Sequence, residues 1–249
     1  LKDYYENNTD AKLLIDSANQ ILGYSLSDIC FNGPIEKLKE TRYTQPAIFL
    51  HSAVVSNLTK EYISFDAVAG HSVGEYTALF SAGVISFEDA IRLVSLRGEL
   101  MFKAGESKPG TMFAVIGMED DVLIGLCKEL NTNDNVVVPA NFNSPGQIVI
   151  SGSRDYLREN ASIFKERGAR MTMELPVSGA FHSPLMKPAQ DKLAEAINKI
   201  EFKNASIPVF TNVDAKPELN SESLKIKLIE QLTAPVLWTQ ILSNLHNDG

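Results

Sequence analysis

Ser72 stands between two glycines in the stretch "AVAGHSVGEYTALFSAGV", residues 67 to 84. Its hydroxyl is a candidate nucleophile because of what flanks it. Phe65 to Ala69 read as a short buried strand, and Val73 to Ser81 carry apolar residues at helical spacing. A strand that turns straight into a helix needs a tight bend. Gly70 and Gly74 are read as supplying it, since a residue without Cβ lets strand and helix approach and leaves the middle residue on a strained, exposed corner. There the hydroxyl lies by the positive end of the new helix, and the Val73 amide is placed to donate to a developing oxyanion.

Serine is a weak nucleophile and needs a base, and the chain has four histidines. His51 falls within a helical stretch and His246 in the polar tail, so surface or core duty suits both. His71 adjoins Ser72, but neighbouring side chains on a sharp turn diverge, so it reads as lining the pocket. His182 lies in "PVSGAFHSPLM", a loop of small residues stopped by Pro184, which is where a base would hang over a cleft. Several acidic residues lie between Ser72 and His182, the chain order of an α/β-hydrolase triad, but none has a distinguishing context. No acid is assigned, and a Ser-His dyad oriented by a backbone carbonyl is equally open. Arg97 sits in the largely apolar "IRLVSLRGELM". A guanidinium there is costly unless it meets an anion, either an internal Asp or Glu or the carboxylate of an anionic acyl group.

The elements that must position these groups alternate along the chain. Helices are predicted over Asp10 to Leu22, capped by Thr9 or Asp10, and over Gln45 to Tyr62, with Pro46 in the first turn. Ser86 opens another to about Phe102, with a Ser-x-x-Asp box ending at Asp89. From Thr111 the pattern becomes strand "TMFAVIG", helix Asp120 to Leu130, strands "NVVVPANF" and "GQIVISG", helix Arg154 to Arg167 and strand "ARMTMEL". That β-α-β-β-α-β order is the ferredoxin-like arrangement. The expected fold class is therefore α/β: a large α/β-hydrolase-like domain, residues 1–110 and 177–249, interrupted by a small ferredoxin-like domain at 111–176. A cleft between the two is the default ligand site. Helices over Pro184 to Ile200, Ser223 to Leu232 and Trp238 to His246, and a strand at "IPVFTN", complete the large domain.

Composition narrows the classes. At 249 residues and 44% hydrophobic, the chain can bury a substantial core. No apolar run reaches the roughly 18 residues of a membrane span, and the N-terminus "LKDYYENNTD" is not a signal peptide. Cys30 and Cys127 are isolated, without metal or redox spacing, so two buried thiols in a reducing cytoplasm are expected. A net charge of −8 with scattered Lys and Arg argues against nucleic acid as a partner.

Taken together, "TRYTQPAIF", "AGHSVGEYTAL", "AGVISFEDAIRLVSLRG", "NFNSPGQIVISG", "GAFHSPLM", "TNVDA" and "EQLTAPVLWTQ" resemble, in order, the malonyl-CoA:acyl carrier protein transacylase family and the related acyltransferase domains of polyketide synthases. The resemblance runs over essentially the whole chain. It implies Ser72 as the acyl-carrying nucleophile, His182 as its base, and Arg97 as the partner of the free carboxylate of malonate. It also implies that the segment holding Gln231 orients the histidine in place of an acid, that Gln45 and His71 line the pocket, and that Phe181 marks a malonyl-type loop. The implied reaction is ping-pong: malonyl-CoA is the substrate, phosphopantetheine on an acyl carrier protein is the acceptor, and the extender units feed fatty acid synthesis. No bound cofactor, metal, nucleic acid or membrane enters it, and a monomer is expected.

The chain departs from the family at both ends, lacking the usual opening strand with its Gly-Gln-Gly turn and the closing Gly-Pro-Gly segment. Because it opens on Leu1 rather than on a methionine, it reads as a fragment of a longer protein. Three alternatives stand beside the main reading: an acyl hydrolase, a trans-acting polyketide acyltransferase, and a catalytically silent docking domain.

Overall fold

The computed structural model describes residues 1–247. In chain order it runs α1 (Lys2–Asn7), α2 (Thr9–Leu22), α3 (Leu26–Asn32), α4 (Ile35–Lys39), α5 (Thr41–Thr59), β1 (Val68–Ala69), α6 (Gly74–Ser81) and α7 (Phe87–Ser107). There follow β2 (Gly110–Ile116), α8 (Asp120–Leu130), β3 (Val137–Ser144), β4 (Gln147–Ser153), α9 (Arg154–Glu166) and β5 (Met171–Glu174). A 3-10 turn at Pro184–Met186 leads to α10 (Lys187–Ile197), β6 (Val209–Phe210), β7 (Pro217–Glu218), α11 (Ser221–Glu230) and α12 (Trp238–Asn247). The fold is mixed α/β.

Two compact units share these elements. The first gathers residues 1–100, 193–211 and 217–226. In it β1 runs parallel to β6, Val68 opposite Val209, and β7 adds an antiparallel edge. The second gathers residues 101–192, 212–216 and those from 227 on. Its four strands, all antiparallel, lie in the order β3-β4-β2-β5. Alternation along β2 divides that unit's core: Phe113 and Val115 pack with Leu123 and Leu126 of α8 and Leu157 and Phe164 of α9. Met112 and Ala114 face the other way, against Ala140, Val149, Leu175 and Phe181.

Local chemistry explains most element ends. Ser86 caps α7: its Oγ accepts from the Asp89 amide at 3.0 Å and donates to the Asp89 carboxylate at 2.6 Å. The cap of α2 is Asn8, one residue before the pair expected, with its Oδ1 accepting from the Ala11 amide at 2.9 Å. α5 starts at Thr41, so Pro46 lies inside the helix rather than in its first turn and leaves the Arg42 carbonyl without its usual i+4 donor. β1 is shorter than the predicted strand because Phe65 is 42% exposed and packs no core. Of the two thiols expected to be buried, Cys127 is, whereas Cys30 is half-buried. Among the described residues, no helix is long and apolar enough to cross a membrane.

Candidate active site

In the first unit, the chain leaves β1 at Ala69 and starts α6 at Gly74, so the corner holds Gly70 to Val73. Ser72 occupies it with φ at +52°, in the left-handed region that costs an L-residue roughly 1–2 kcal/mol. The His71 and Ser72 carbonyls accept from the Gly74 and Glu75 amides at 2.9 and 3.1 Å, fixing the first turn. Val73 lies at the start of that turn, where helix N–H groups have no intrahelical acceptor. The two glycines differ. A Cβ on Gly70 would fall 2.0 Å from the Gly74 carbonyl carbon and oxygen, whereas one on Gly74 would meet nothing within 4 Å. The close approach therefore demands glycine at 70 alone, correcting the symmetric role read from the sequence.

Arg97, on α7, comes to this corner from a position only 1% exposed. Its Nη2 donates to Ser72 Oγ at 3.0 Å, and its Nη1 donates to Gln45 Oε1 at 2.5 Å. Its guanidinium carbon lies 5.8 Å from the centre of the Tyr76 ring. Burial pulls the guanidinium below its ordinary pKa, while Tyr76 and Glu75 push it back up. Burial pushes the Tyr76 phenol up to about 12. Glu75, itself 1% exposed, is a buried carboxylate whose charge acts on Arg97. Sequence reasoning missed Glu75 and Tyr76, because an acid in the first turn of a helix looks like an ordinary dipole partner.

In the second unit, His182 also has left-handed backbone, φ +55°, and is 3% exposed. Its Nδ1 lies 3.0 Å from the Gln231 carbonyl oxygen and 3.2 Å from that of Ala234. Carbonyls only accept, so Nδ1 carries the proton and Nε2 keeps its lone pair. Gln231 thus meets the histidine through its main chain. Gln190, which the sequence did not mark, braces the same loop: its Nε2 donates to the Ile229 carbonyl at 2.9 Å and to Thr233 Oγ1 at 2.8 Å. Phe181 packs against the β2 face described above.

The structure therefore joins Ser72, Arg97 and Gln45 in one unit, and His182 and Gln231 in the other. His71 is half-buried beside Ser72. His51 is exposed on α5 with its ring 6.0 Å from that of Tyr4, and His246 is exposed on α12. Among the described residues, no group of three or more His, Cys, Asp or Glu is placed to hold a metal ion.

The strand-to-helix corner therefore presents a serine hydroxyl whose oxygen accepts from a buried guanidinium. Residues 13–249 match the acyl transferase domain, and the chain belongs to that family. It is 41% identical over 249 residues to the malonyl CoA-acyl carrier protein transacylase of Bacillus subtilis (strain 168), which spans 100% of this chain and 78% of that protein. Among solved structures, an acyl carrier protein S-malonyltransferase from Vibrio cholerae O1 biovar eltor str. N16961 superposes with a TM-score of 0.95 at 40% identity, covering 100% of this chain and 81% of the other. A malonyl-transacylase in complex with a type II PKS acyl-carrier protein superposes with a TM-score of 0.94 at 39% identity, covering 100% and 81%.

Proposed function

We propose that this chain moves a malonyl group from coenzyme A to the phosphopantetheine thiol of an acyl carrier protein through a malonyl ester on Ser72, feeding fatty acid synthesis. The observation that carries this reading is the buried Arg97 hydrogen-bonded to Ser72 Oγ. A neutral acyl group offers a buried guanidinium no counter-charge, whereas a free carboxylate on the acyl chain matches it. The relatives named above, one of them seen with a carrier protein, support the same substrate and partner.

In the first half-reaction, Nε2 of His182 takes the proton of Ser72 as Oγ attacks the thioester carbonyl. The Val73 amide donates to the oxyanion, and the tetrahedral intermediate collapses with loss of the coenzyme A thiolate, which takes the proton back from His182. In the second, His182 takes the proton of the carrier's thiol, the thiolate attacks the ester, and Ser72 leaves with that proton. The Arg97 bond bears on the first step: with Nη2–H on one lone pair of Oγ, the hydroxyl hydrogen turns away from the guanidinium and toward a base. The carbonyls of Gln231 and Ala234 hold the imidazole tautomer and stabilise the cation that forms, as an acid would in a triad. Gln45 holds Arg97, and His71 and Phe181 are read as contacts of the acyl group.

We also read residues 1–110 and 177–249 as a large α/β-hydrolase-like catalytic domain and 111–176 as a ferredoxin-like insert. The strand order β3-β4-β2-β5 supports the second assignment, and the strand-corner-helix at Ser72 the first. Two free cysteines suit a cytoplasmic setting. The chain is read as working as a monomer.

Transfer tests the function. Incubated with malonyl-CoA and a phosphopantetheinylated acyl carrier protein, the chain should yield malonyl-carrier, and its malonyl ester should be long-lived in water until carrier is added. Rapid release of free malonate with no carrier product would replace the transferase reading with the hydrolase one.

A further inference from the structure

The turn that holds His182 follows the end of α11, where the last carbonyls of a helix lack intrahelical donors. The Thr233 and Ala234 amides both donate to the Glu230 carbonyl at 3.2 Å, which bends the chain back over residues 231–234. Gln190 grips the same turn from α10. Its side chain is buried, and its amide has one orientation that suits its neighbours. The Lys187 ammonium only donates, so it meets Oε1, at 2.9 Å, and Nε2 faces the turn. There Nε2 donates to the Ile229 carbonyl at 2.9 Å and to Thr233 Oγ1 at 2.8 Å, with the Glu230 carbonyl farther off at 3.4 Å. The two side chains thus alternate along one turn: Gln190 takes positions 229 and 233, and His182 takes the carbonyls of 231 and 234. They also come from one stretch of chain, joined through the 3-10 turn Pro184–Met186.

We propose that Gln190 is a positioning residue for the base: by pinning the chain on either side of Gln231, it keeps the Gln231 and Ala234 carbonyls within hydrogen-bond distance of His182 Nδ1, and so holds Nε2 in the tautomer and orientation that a base needs. The proposal rests on the reading of His182 as the base given above. Without the amide donors, the Ile229 carbonyl and the Thr233 hydroxyl lose a partner, and the turn shifts to recover one. The two carbonyls on Nδ1 move with it, and the imidazole is held less well. The hydrogen bonds of Gln190 go to none of the groups assigned to the substrate, so the loss falls on the rate of acylation and not on the binding of malonyl-CoA.

The test is a double-mutant cycle on the rate of Ser72 acylation, followed over a range of malonyl-CoA concentrations by intact-protein mass spectrometry, in the wild type, Gln190→Met, His182→Ala and the double variant. Methionine keeps the length and approximate volume of glutamine and removes the donors. Gln190→Met should lower the maximal rate about 5- to 10-fold, the worth of one hydrogen bond, and leave the half-saturating concentration within about 2-fold of the wild type. His182→Ala should lose roughly 100-fold or more, and adding Gln190→Met to it should cost nothing further. A smaller folded fraction lowers the plateau of acylation and not its rate constant. An unchanged maximal rate in Gln190→Met, a rise in its half-saturating concentration alone, or a loss of equal size in the His182→Ala background overturns the role of Gln190 and leaves His182 as the base. A His182→Ala variant that acylates as fast as the wild type overturns the reading of His182, and the role of Gln190 with it.

Discussion

Ser72 and His182 share a rare feature, left-handed backbone on a residue with a side chain, at φ +52° and +55°. Such strain persists where surrounding structure over-determines it, and it gathers at functional corners. Arg97 has the opposite problem, a charge with little water, and it is held by oxygens from Ser72 and Gln45. Arg97→Ala should remove about 1.5–3 kcal/mol of charge-assisted binding to the malonyl carboxylate and lower the specificity constant for malonyl-CoA roughly 10- to 100-fold more than that for acetyl-CoA. Steady-state kinetics with the two thioesters checks this, and an unchanged preference would remove the clamp. These residues were legible because serine, histidine and arginine announce themselves by type. Ala234 was not, since it works through a carbonyl that every residue owns. Glu75 was hidden for a related reason: its burial comes from tertiary packing, and its local sequence suits an exposed helix start equally well.

Among the elements, the corner before α6 separates two glycines that look alike in sequence. Gly70→Ala should cost about 3 kcal/mol or more, because the added methyl would occupy the space of the Gly74 carbonyl. Gly74→Ala meets open space and should be neutral or gain up to about 1 kcal/mol in helix propensity. Thermal denaturation of the pair decides it, and equal losses would contradict the geometry. In the loop that holds His182, Gln190→Leu would strip the donors from the Ile229 carbonyl and Thr233 hydroxyl. It should cost about 1–3 kcal/mol in a denaturant titration, and a cost near zero would show that the loop needs no such brace. The sequence placed α8 at its observed limits, since acidic residues open it and its apolar period is regular. It put the start of α5 four residues late by treating Pro46 as a first-turn residue, whereas packing on α7 tolerates the lost hydrogen bond inside the helix. The short helices α1, α3 and α4 carry too little periodicity to be read at all.

For the molecule as a whole, two compact units divide the candidate catalytic groups between them, and each has a core of its own. The second unit's core encloses Cys127, whose thiol burial pushes up to about 12, while Cys30 in the first is half-buried, its thiol also raised by burial. Alkylation of the native protein at neutral pH should therefore label Cys30 well before Cys127, with both labelled after denaturation. Peptide mapping reads the order, and Cys127 reacting first would mean that this core opens. The β-α-β-β-α-β order was legible because alternation and turns are local. The pairing of β1 with β6 joins residues far apart in the chain through two-residue strands, which leave no periodic trace.

The proposed transfer runs through a malonyl ester on Ser72. Intact-protein mass spectrometry after brief exposure to malonyl-CoA should show the mass of one added malonyl group on the wild type, mapped to the peptide containing Ser72, and none on Ser72→Ala. An adduct that persists in Ser72→Ala would contradict it.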